Sequence, residues 1–327
     1  MAVRTGGVLR GVDTNEGDVS FAHQALLYRS KDEFLACTLP LVRDGLECGD
    51  PVRLVTTERN TGWLRAALGA QARQVAFCDN REWDANPAGA LAALCRTVQA
   101  AISGGHRLRM IQEPSWTVRT GQDSREWFRH ESLVNVALAS ANATFMCAYD
   151  TRIVELGVMA NVARTHPQLV RNGGPQASPT YTDPGVFNAE CNRSPLPELP
   201  PPTLWLRFRQ LDQLATLRTF VTSYATQAGA AAGSVSKFVQ AVDEVATNAV
   251  EHGGGSAVLQ VWTGPHTLVC EVSDTGAGLR DPLAGYLPPE RFAAGGHGLW
   301  LARQFSDLVE LHSAPTGTIV RLHLTLS

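Results

Sequence analysis

Apolar positions along this chain switch between two periods. Between residues 21 and 167, short apolar runs alternate with stretches in which apolar residues return every three or four positions. The runs 22–28, 51–57, 74–77, 108–112 and 144–149 predict five strands. The stretches 31–46, 60–68, 87–103, 124–139 and 151–165 predict helices. The third has proline in its first turn and Gly104-Gly105 past its end, the usual punctuation of a helix. Strands and helices in alternation predict an α/β domain with a mostly parallel sheet covered on both faces.

The pattern breaks at residues 194–202, S-P-L-P-E-L-P-P-P, which favours an extended, semi-rigid spacer. Beyond it, 211–227, 236–251 and 299–305 read as helices, and 257–263, 268–273, 308–314 and 318–326 as strands. This order predicts an α+β sandwich, with helices on one face of a mixed sheet. The expected division is a flexible tail over 1–20, a first domain over 21–192, a Pro-rich linker over 193–203 and a second domain over 204–327.

Composition narrows the function classes. With 44% hydrophobic and 18% charged residues the chain is globular rather than disordered. A net charge of −3 offers no basic footprint, so nucleic acid is not an expected direct partner. No apolar run reaches the roughly 18 residues needed to span a bilayer, and residues 1–20 lack the apolar core of a signal peptide. The seven cysteines are scattered without a C-x-x-C pair, which fits a reducing cytoplasm.

Three segments of the second domain carry candidate chemistry. In the helix over 236–251, Glu244, Asn248 and His252 are spaced by four and share one face. A carboxylate and a carboxamide so stacked supply oxygen ligands for Mg²⁺, and the carboxylate can take a proton from a hydroxyl. A solvated polar face would read the same way, and His252 at the helix end also suits the helix dipole. Next, S-D-T-G-A-G over 273–278 places Asp274 at a strand end, and Gly276 and Gly278 allow close approach of a flat ligand. Finally, G-G-H-G-L-W over 295–300 opens a helix, where free backbone N–H groups suit phosphate oxygens. It lacks the G-K-[ST] ending of a Walker A loop. Residues 279–294, between the last two segments, are a candidate lid.

In order and spacing, E-V-A-T-N-A-V-E-H, D-T-G-A-G, G-G-H-G-L and G-T-I-V-R-L resemble the four boxes of the GHKL ATPase superfamily. The wording D-E-V-A-T-N-A-V-E-H-G resembles most the RsbW and SpoIIAB branch of anti-sigma factor kinases. The resemblance implies a GHKL ATPase sandwich that binds ATP or ADP with Mg²⁺. It implies Glu244 as general base, Asn248 as Mg²⁺ ligand and Asp274 as acceptor for the adenine amino group. Gly276 and Gly278 would frame base and sugar; Gly296, His297, Gly298 and Leu299 would hold phosphates, and Thr318 would sit near adenine. The implied activity is that of a serine/threonine protein kinase acting on an anti-sigma antagonist of the STAS type, with a sigma factor as the other partner. The branch leaves room for a homodimer. Arg218 falls near a position where the branch often has a partner-contacting arginine, although an ordinary surface arginine reads the same way. A non-catalytic module that sequesters a partner under nucleotide control is the alternative.

The first domain resembles the MEDS sensory domain of DcmR type, related to the RecA and KaiC fold, through F-A-H-Q-A-L-L-Y, L-V-R-D-G-L-E-C-G-D-P-V-R-L-V-T-T, C-A-Y-D and T-H-P. The turn after its first strand reads Y-R-S-K-D and lacks the glycines of a phosphate loop, so no nucleotide hydrolysis is expected there. Ends of parallel strands bind ligands in such sheets, which makes His23, Tyr28, Glu113, Trp116, Tyr149 and Asp150 candidates for a sensory ligand. Packed or capping roles are the plain alternative. Cys147, inside an apolar strand, reads as core. R-H-E-S-L over 129–133 faintly resembles a histidine-kinase phosphoacceptor box but lacks the following proline, and no two-helix dimerisation segment precedes the second domain.

Overall fold

The computed structural model describes residues 21–80, 87–115, 121–171, 174–201, 203–287 and 297–326. The N-terminal half is built on β1 (Ala22–Tyr28), α1 (Lys31–Glu47), β2 (Val52–Thr56), α2 (Glu58–Leu68), β3 (Ala76–Asp79), α3 (Pro87–Ser103), β4 (Leu108–Gln112), α4 (Gly121–Ala137), β5 (Ala143–Asp150) and α5 (Leu156–Thr165). Two further strands, β6 (Gln168–Arg171) and β7 (Gly174–Ala177), and helix α6 (Pro184–Arg193) complete it. The sheet runs β3-β2-β4-β5-β1-β6-β7, parallel throughout except for the β6–β7 pair. Every residue of β5 is buried, as expected of a central strand covered on both faces. The turn after β1 passes directly into α1. Ser30 caps that helix by accepting from Glu33 N at 3.1 Å, while Glu33 Oε2 accepts from Arg29 N at 2.6 Å.

The sequence reading of this half differs at several places, among them the helix α6, which it did not predict. Residues 151–155 precede α5 instead of belonging to it, because Asp150 folds the turn back by accepting from Arg152 N at 3.1 Å. The hairpin β6–β7 was missed because each strand has only four residues and β7 is largely exposed, so no apolar run marks it.

The C-terminal half comprises β8 (Leu204–Phe208), α7 (Leu214–Gln227), α8 (Ala232–His252), β9 (Ala257–Thr263), β10 (Thr267–Asp274), α9 (His297–Phe305), β11 (Leu308–Ala314) and β12 (Gly317–Thr325). Its sheet order is β11-β12-β10-β9-β8. All four pairings are antiparallel, where the sequence reading expected a mixed sheet. The reason is local: β9–β10 and β11–β12 are hairpins closed by turns too short for a parallel crossover. The three helices bury Leu217, Val221, Phe238, Val242, Val245 and Ala302 against Leu259, Val261, Cys270 and Leu322 of the sheet.

The Pro-rich segment is not a free spacer. Ser194 O lies 3.1 Å from His312 Nδ1, and Pro197 O accepts from Arg321 Nη2 at 2.9 Å, so the segment lies along β11 and β12. A second junction is buried. Glu126 of α4 accepts at Oε2 from Tyr286 OH and from Arg303 Nη1 of α9, both at 3.1 Å. Arg303 stacks 3.6 Å from the Tyr286 ring centre, and Arg129 pairs with Glu126 Oε1 at 3.0 Å. Among the described residues no helix is long and apolar enough to cross a membrane.

Candidate functional site

Helix α8 exists because Val235, Phe238, Val242, Val245 and Ala249 repeat at helical spacing and bury one stripe. Glu244 and Asn248 lie one turn apart on the flank of that stripe, half-buried, and His252 is exposed at the end. The first turn of α9 is pressed against them. A Cβ on Gly298 would stand 2.8 Å from Asn248 Nδ2 and 3.1 Å from Glu244 Oε2. Glycine therefore allows the backbone of a helix N-terminus, rich in unpaired N–H groups, to meet a carboxylate and a carboxamide.

Asp274 ends β10 beside the C-terminus of α8, where a Cβ on Gly253 would fall 2.5 Å from the Asp274 Cβ. Its Oδ1 accepts from Gly276 N at 2.9 Å and from Thr318 N at 3.1 Å. Thr318 can reach it because Gly317 takes φ 146°, where a Cβ would fall 2.1 Å from the Asp274 carbonyl oxygen. Two backbone donors thus fix the carboxylate, both on one oxygen.

Beside these residues lies a cavity of about 540 Å³ lined by Asn248, His252, Asp274, Gly278, Leu299 and Thr318 over an apolar floor that includes Val245, Val272 and Val320. Size and lining suit a small ligand with a flat apolar part and a few polar anchors. Gly298 also lines it; Glu244 abuts Gly298, and Gly276 holds the Asp274 turn. His297 begins α9 and is exposed. Gly296 lies outside the described residues. Arg218 pairs with Asp243 at 3.0 Å on the surface.

The described part of the lid, residues 279–287, covers one side of this cavity. Leu279 packs on the C-terminal core, whereas Leu283, Tyr286 and Leu287 pack on the N-terminal core. Sequence reasoning missed Glu126, Arg129 and Arg303, which hold Tyr286. Their one signal is that charged residues sit among apolar neighbours on otherwise amphipathic helices.

The N-terminal candidates separate into two groups. Tyr28, Glu113 and Asp150 gather at the carboxyl ends of β1, β4 and β5. Tyr28 OH donates to Glu113 Oε1 at 2.8 Å and accepts from Asn60 Nδ2 at 2.8 Å. Glu113 Oε2 accepts from Thr57 N at 2.9 Å and Thr57 Oγ1 at 2.8 Å. Burial, with Glu113 adjacent, raises the Tyr28 hydroxyl pKa. Hydrogen bonds from Arg152 hold the Asp150 carboxyl below its ordinary value. His23 and Tyr149 point instead into a separate buried cluster with Glu131, Cys147 and His166. Burial, together with the His166 ring, lowers the His23 pKa to about 4. Trp116 lies outside the described residues. His130, of the R-H-E-S-L segment, is buried with Nδ1 3.1 Å from Pro87 O.

The family model described as a histidine kinase-like ATPase domain matches residues 209–324, the C-terminal half with its sandwich and cavity. The N-terminal half is a MEDS domain: the model described as methanogen/methylotroph, DcmR sensory domain matches residues 22–167. The chain therefore joins a MEDS domain to a histidine kinase-like ATPase domain. Comparison with curated proteins gives no match.

Several solved structures are similar over part of the chain. The RsbU and RsbW domains of Rv1364c from Mycobacterium tuberculosis are 21% identical over 38% of this chain and 32% of that one, with a TM-score of 0.29. The chain thus spans about a third of that structure's length. The catalytic domain of histidine kinase ThkA is 11% identical over 37% of this chain and 97% of that one, at TM-score 0.26. A KaiC-like protein from Pyrococcus horikoshii OT3 is 13% identical over 48% and 76%, at TM-score 0.32.

Proposed function

We propose that the C-terminal domain binds ATP with Mg²⁺ and transfers a phosphoryl group to a serine or threonine of an anti-sigma antagonist of the STAS type, with a sigma factor as the alternative partner. The observation that carries this reading is the meeting of Glu244, Asn248 and the α9 N-terminus at Gly298, beside a cavity that Asn248, Gly298 and the anchored Asp274 line together. The residues fit the group. Asp274 Oδ2 is left to accept from an adenine amino group, since both backbone bonds fall on Oδ1. Asn248 would hold the cation, and the N–H groups of Gly298 and Leu299 would face phosphate oxygens. Glu244, beside that helix terminus, would take the proton of the incoming hydroxyl. When bound, the nucleotide supplies the transferable phosphoryl group and its metal neutralises the charge.

The N-terminal domain, read as a RecA/KaiC-like frame without a phosphate loop, would act on this site through the lid. Tyr286, Leu283 and Leu287 are seated in its core, and Glu126 grips Tyr286 and Arg303 together. A ligand among Tyr28, Glu113 and Asp150 would be the input. The unit boundaries proposed are 21–192, 193–203 and 204–327, and the setting is the cytoplasm, consistent with seven free cysteines. Burial of His130 speaks against a histidine-kinase reading.

The test is transfer of labelled phosphate by the full chain to a candidate antagonist, beside nucleotide titration. Glu244→Gln is expected to bind ATP within a few-fold of wild type and to lose transfer by about 10²-fold or more. Equal transfer by both proteins refutes the catalytic role of Glu244. Nucleotide-dependent sigma binding without transfer in either protein selects the sequestering module instead.

A further inference from the structure

Four side chains that the ATPase site does not use converge inside the N-terminal domain. His23 comes from β1, Cys147 from β5, Glu131 from α4, and His166 caps the end of α5. All are buried, at 2%, 0%, 1% and 0% exposure. One donor atom from each lies within 4.8 Å of the others. Glu131 Oε2 is 3.5 Å from His23 Nε2, 3.4 Å from His166 Nε2 and 3.4 Å from Cys147 Sγ. Cys147 Sγ is 3.6 Å from His23 Nε2.

The far sides of both imidazoles fix where their protons sit. Asn135 Nδ2 donates to the carbonyls of Thr165 at 2.8 Å and Ser132 at 3.1 Å, which turns its Oδ1 toward His23 Nδ1 at 3.0 Å. That oxygen only accepts, so Nδ1 carries the proton and neutral His23 presents a lone pair at Nε2. His166 Nδ1 lies 2.9 Å from the Val162 carbonyl oxygen and must donate to it, which leaves its Nε2 with a lone pair as well. His166 Nε2 is buried and faces the Glu131 carboxylate. Two imidazole lone pairs and a carboxylate oxygen thus face one another, with the single thiol proton to share among them. An arrangement of this kind calls for a cation.

We propose that His23, Glu131, Cys147 and His166 form a tetrahedral site for a divalent transition metal, zinc by its donor set. Zinc bonds of about 2.0–2.3 Å to N, O and S place tetrahedral ligand atoms roughly 3.3–3.6 Å apart, and the three distances to Glu131 Oε2 and the His23–Cys147 distance fall at 3.4–3.6 Å. Imidazole, thiolate and carboxylate together favour zinc over magnesium or calcium, which prefer all-oxygen shells. Binding displaces the thiol proton to solvent. Thiolate and carboxylate then carry two negative charges against the two positive charges of the ion, so the buried site is neutral. The outer contacts match a metal site too: Asn135 and the Val162 carbonyl orient the imidazoles, and Tyr149 OH donates to Glu131 Oε1 at 3.3 Å. Because the ligands are enclosed, the metal enters as the chain folds.

The experiment measures the metal content of full-length protein produced in zinc-supplemented medium, and again after refolding with Zn²⁺ alone. About one zinc per chain is expected, with Cys147→Ser and His166→Gln each retaining less than about a tenth of it. Production with Co²⁺ is expected to give the thiolate-to-cobalt charge-transfer band and the intense ligand-field bands of a tetrahedral centre, with the former absent in Cys147→Ser. Wild-type protein that stays metal-free in both preparations overturns the proposal, as does an unchanged metal content in Cys147→Ser. If the ligand variants do not fold, Asn135→Ala keeps all four ligands and is expected to weaken zinc in chelator competition by about 10- to 100-fold. Unchanged affinity there is equally decisive against the site.

Discussion

Replacing Glu126 by glutamine tests whether the two halves act as one switch. The carboxylate is 4% exposed and is shared by the Arg129 and Arg303 guanidinium groups, themselves 0% and 4% exposed, and by the Tyr286 hydroxyl. Glu126→Gln keeps size and shape but leaves two buried cations without their anion. Breaking a buried pair by removing one partner costs about 3–5 kcal/mol. Tyr286→Phe removes only one hydrogen bond to a charged acceptor, about 1.5–3 kcal/mol. Both changes loosen the same lid, so their effects should not add. A double-mutant cycle in calorimetric or denaturant unfolding is expected to give a coupling of about 1 kcal/mol or more. Nucleotide titration on the same proteins should show ATP dissociating faster from each variant, with the preference for adenine over guanine unchanged, because Asp274 is untouched. Additive effects within about 0.3 kcal/mol, or a Glu126→Gln protein as stable as wild type, would refute the coupling. Unaltered ATP dissociation would show that the contact is structural and does not govern the lid.

Three further outcomes follow from the geometry. Asp274→Asn should weaken adenine nucleotides by about tenfold or more while leaving guanine nucleotides little changed, as isothermal titration would show; equal losses would remove Asp274 as the base reader. Gly298→Ala places its methyl 2.8 Å from Asn248 Nδ2 and 3.1 Å from Glu244 Oε2, both flexible side-chain ends, so stability should fall by only about 1 kcal/mol while Mg²⁺-dependent ATP affinity drops severalfold; unchanged affinity would contradict the placement of phosphates there. Asp150 is held below its ordinary pKa by Arg152, so its stabilisation is present above about pH 4 and is lost as pH falls through the folded value. Asp150→Asn should therefore cost about 1 kcal/mol at pH 7, with the gap to wild type closing below about pH 4 in thermal melts, since the arginines are half exposed.

The grouping of residues around the C-terminal cavity was legible in the sequence because its geometry is mostly local. Glu244 and Asn248 share a helix face by spacing alone, Asp274 sits where an apolar strand meets glycines, and Gly298 opens a helix. Helical and strand periods carry such relations without knowledge of the rest of the chain. The alternation of strands and helices around β1 to β5 was legible for the same reason.

Tertiary structure alone decided the rest. Glu126 meets Tyr286 and Arg303 across 160 and 177 residues of sequence, and no local period links them. The Pro-rich stretch reads as a spacer, yet its carbonyls are taken up by His312 and Arg321 because a neighbouring sheet lies beside it. Cys147 reads as core and is indeed buried, but what it faces depends on the pairing of β1 with β5. His23 and Tyr149 appeared with Tyr28, Glu113 and Asp150 as one set of candidates. Strand alternation sends His23 and Tyr28 to different places along β1, and packing of α4 and α5 brings Glu131 and His166 to the first. Contacts between residues far apart in the chain depend on which faces pack, and that follows from the summed burial of the whole domain rather than from any one segment.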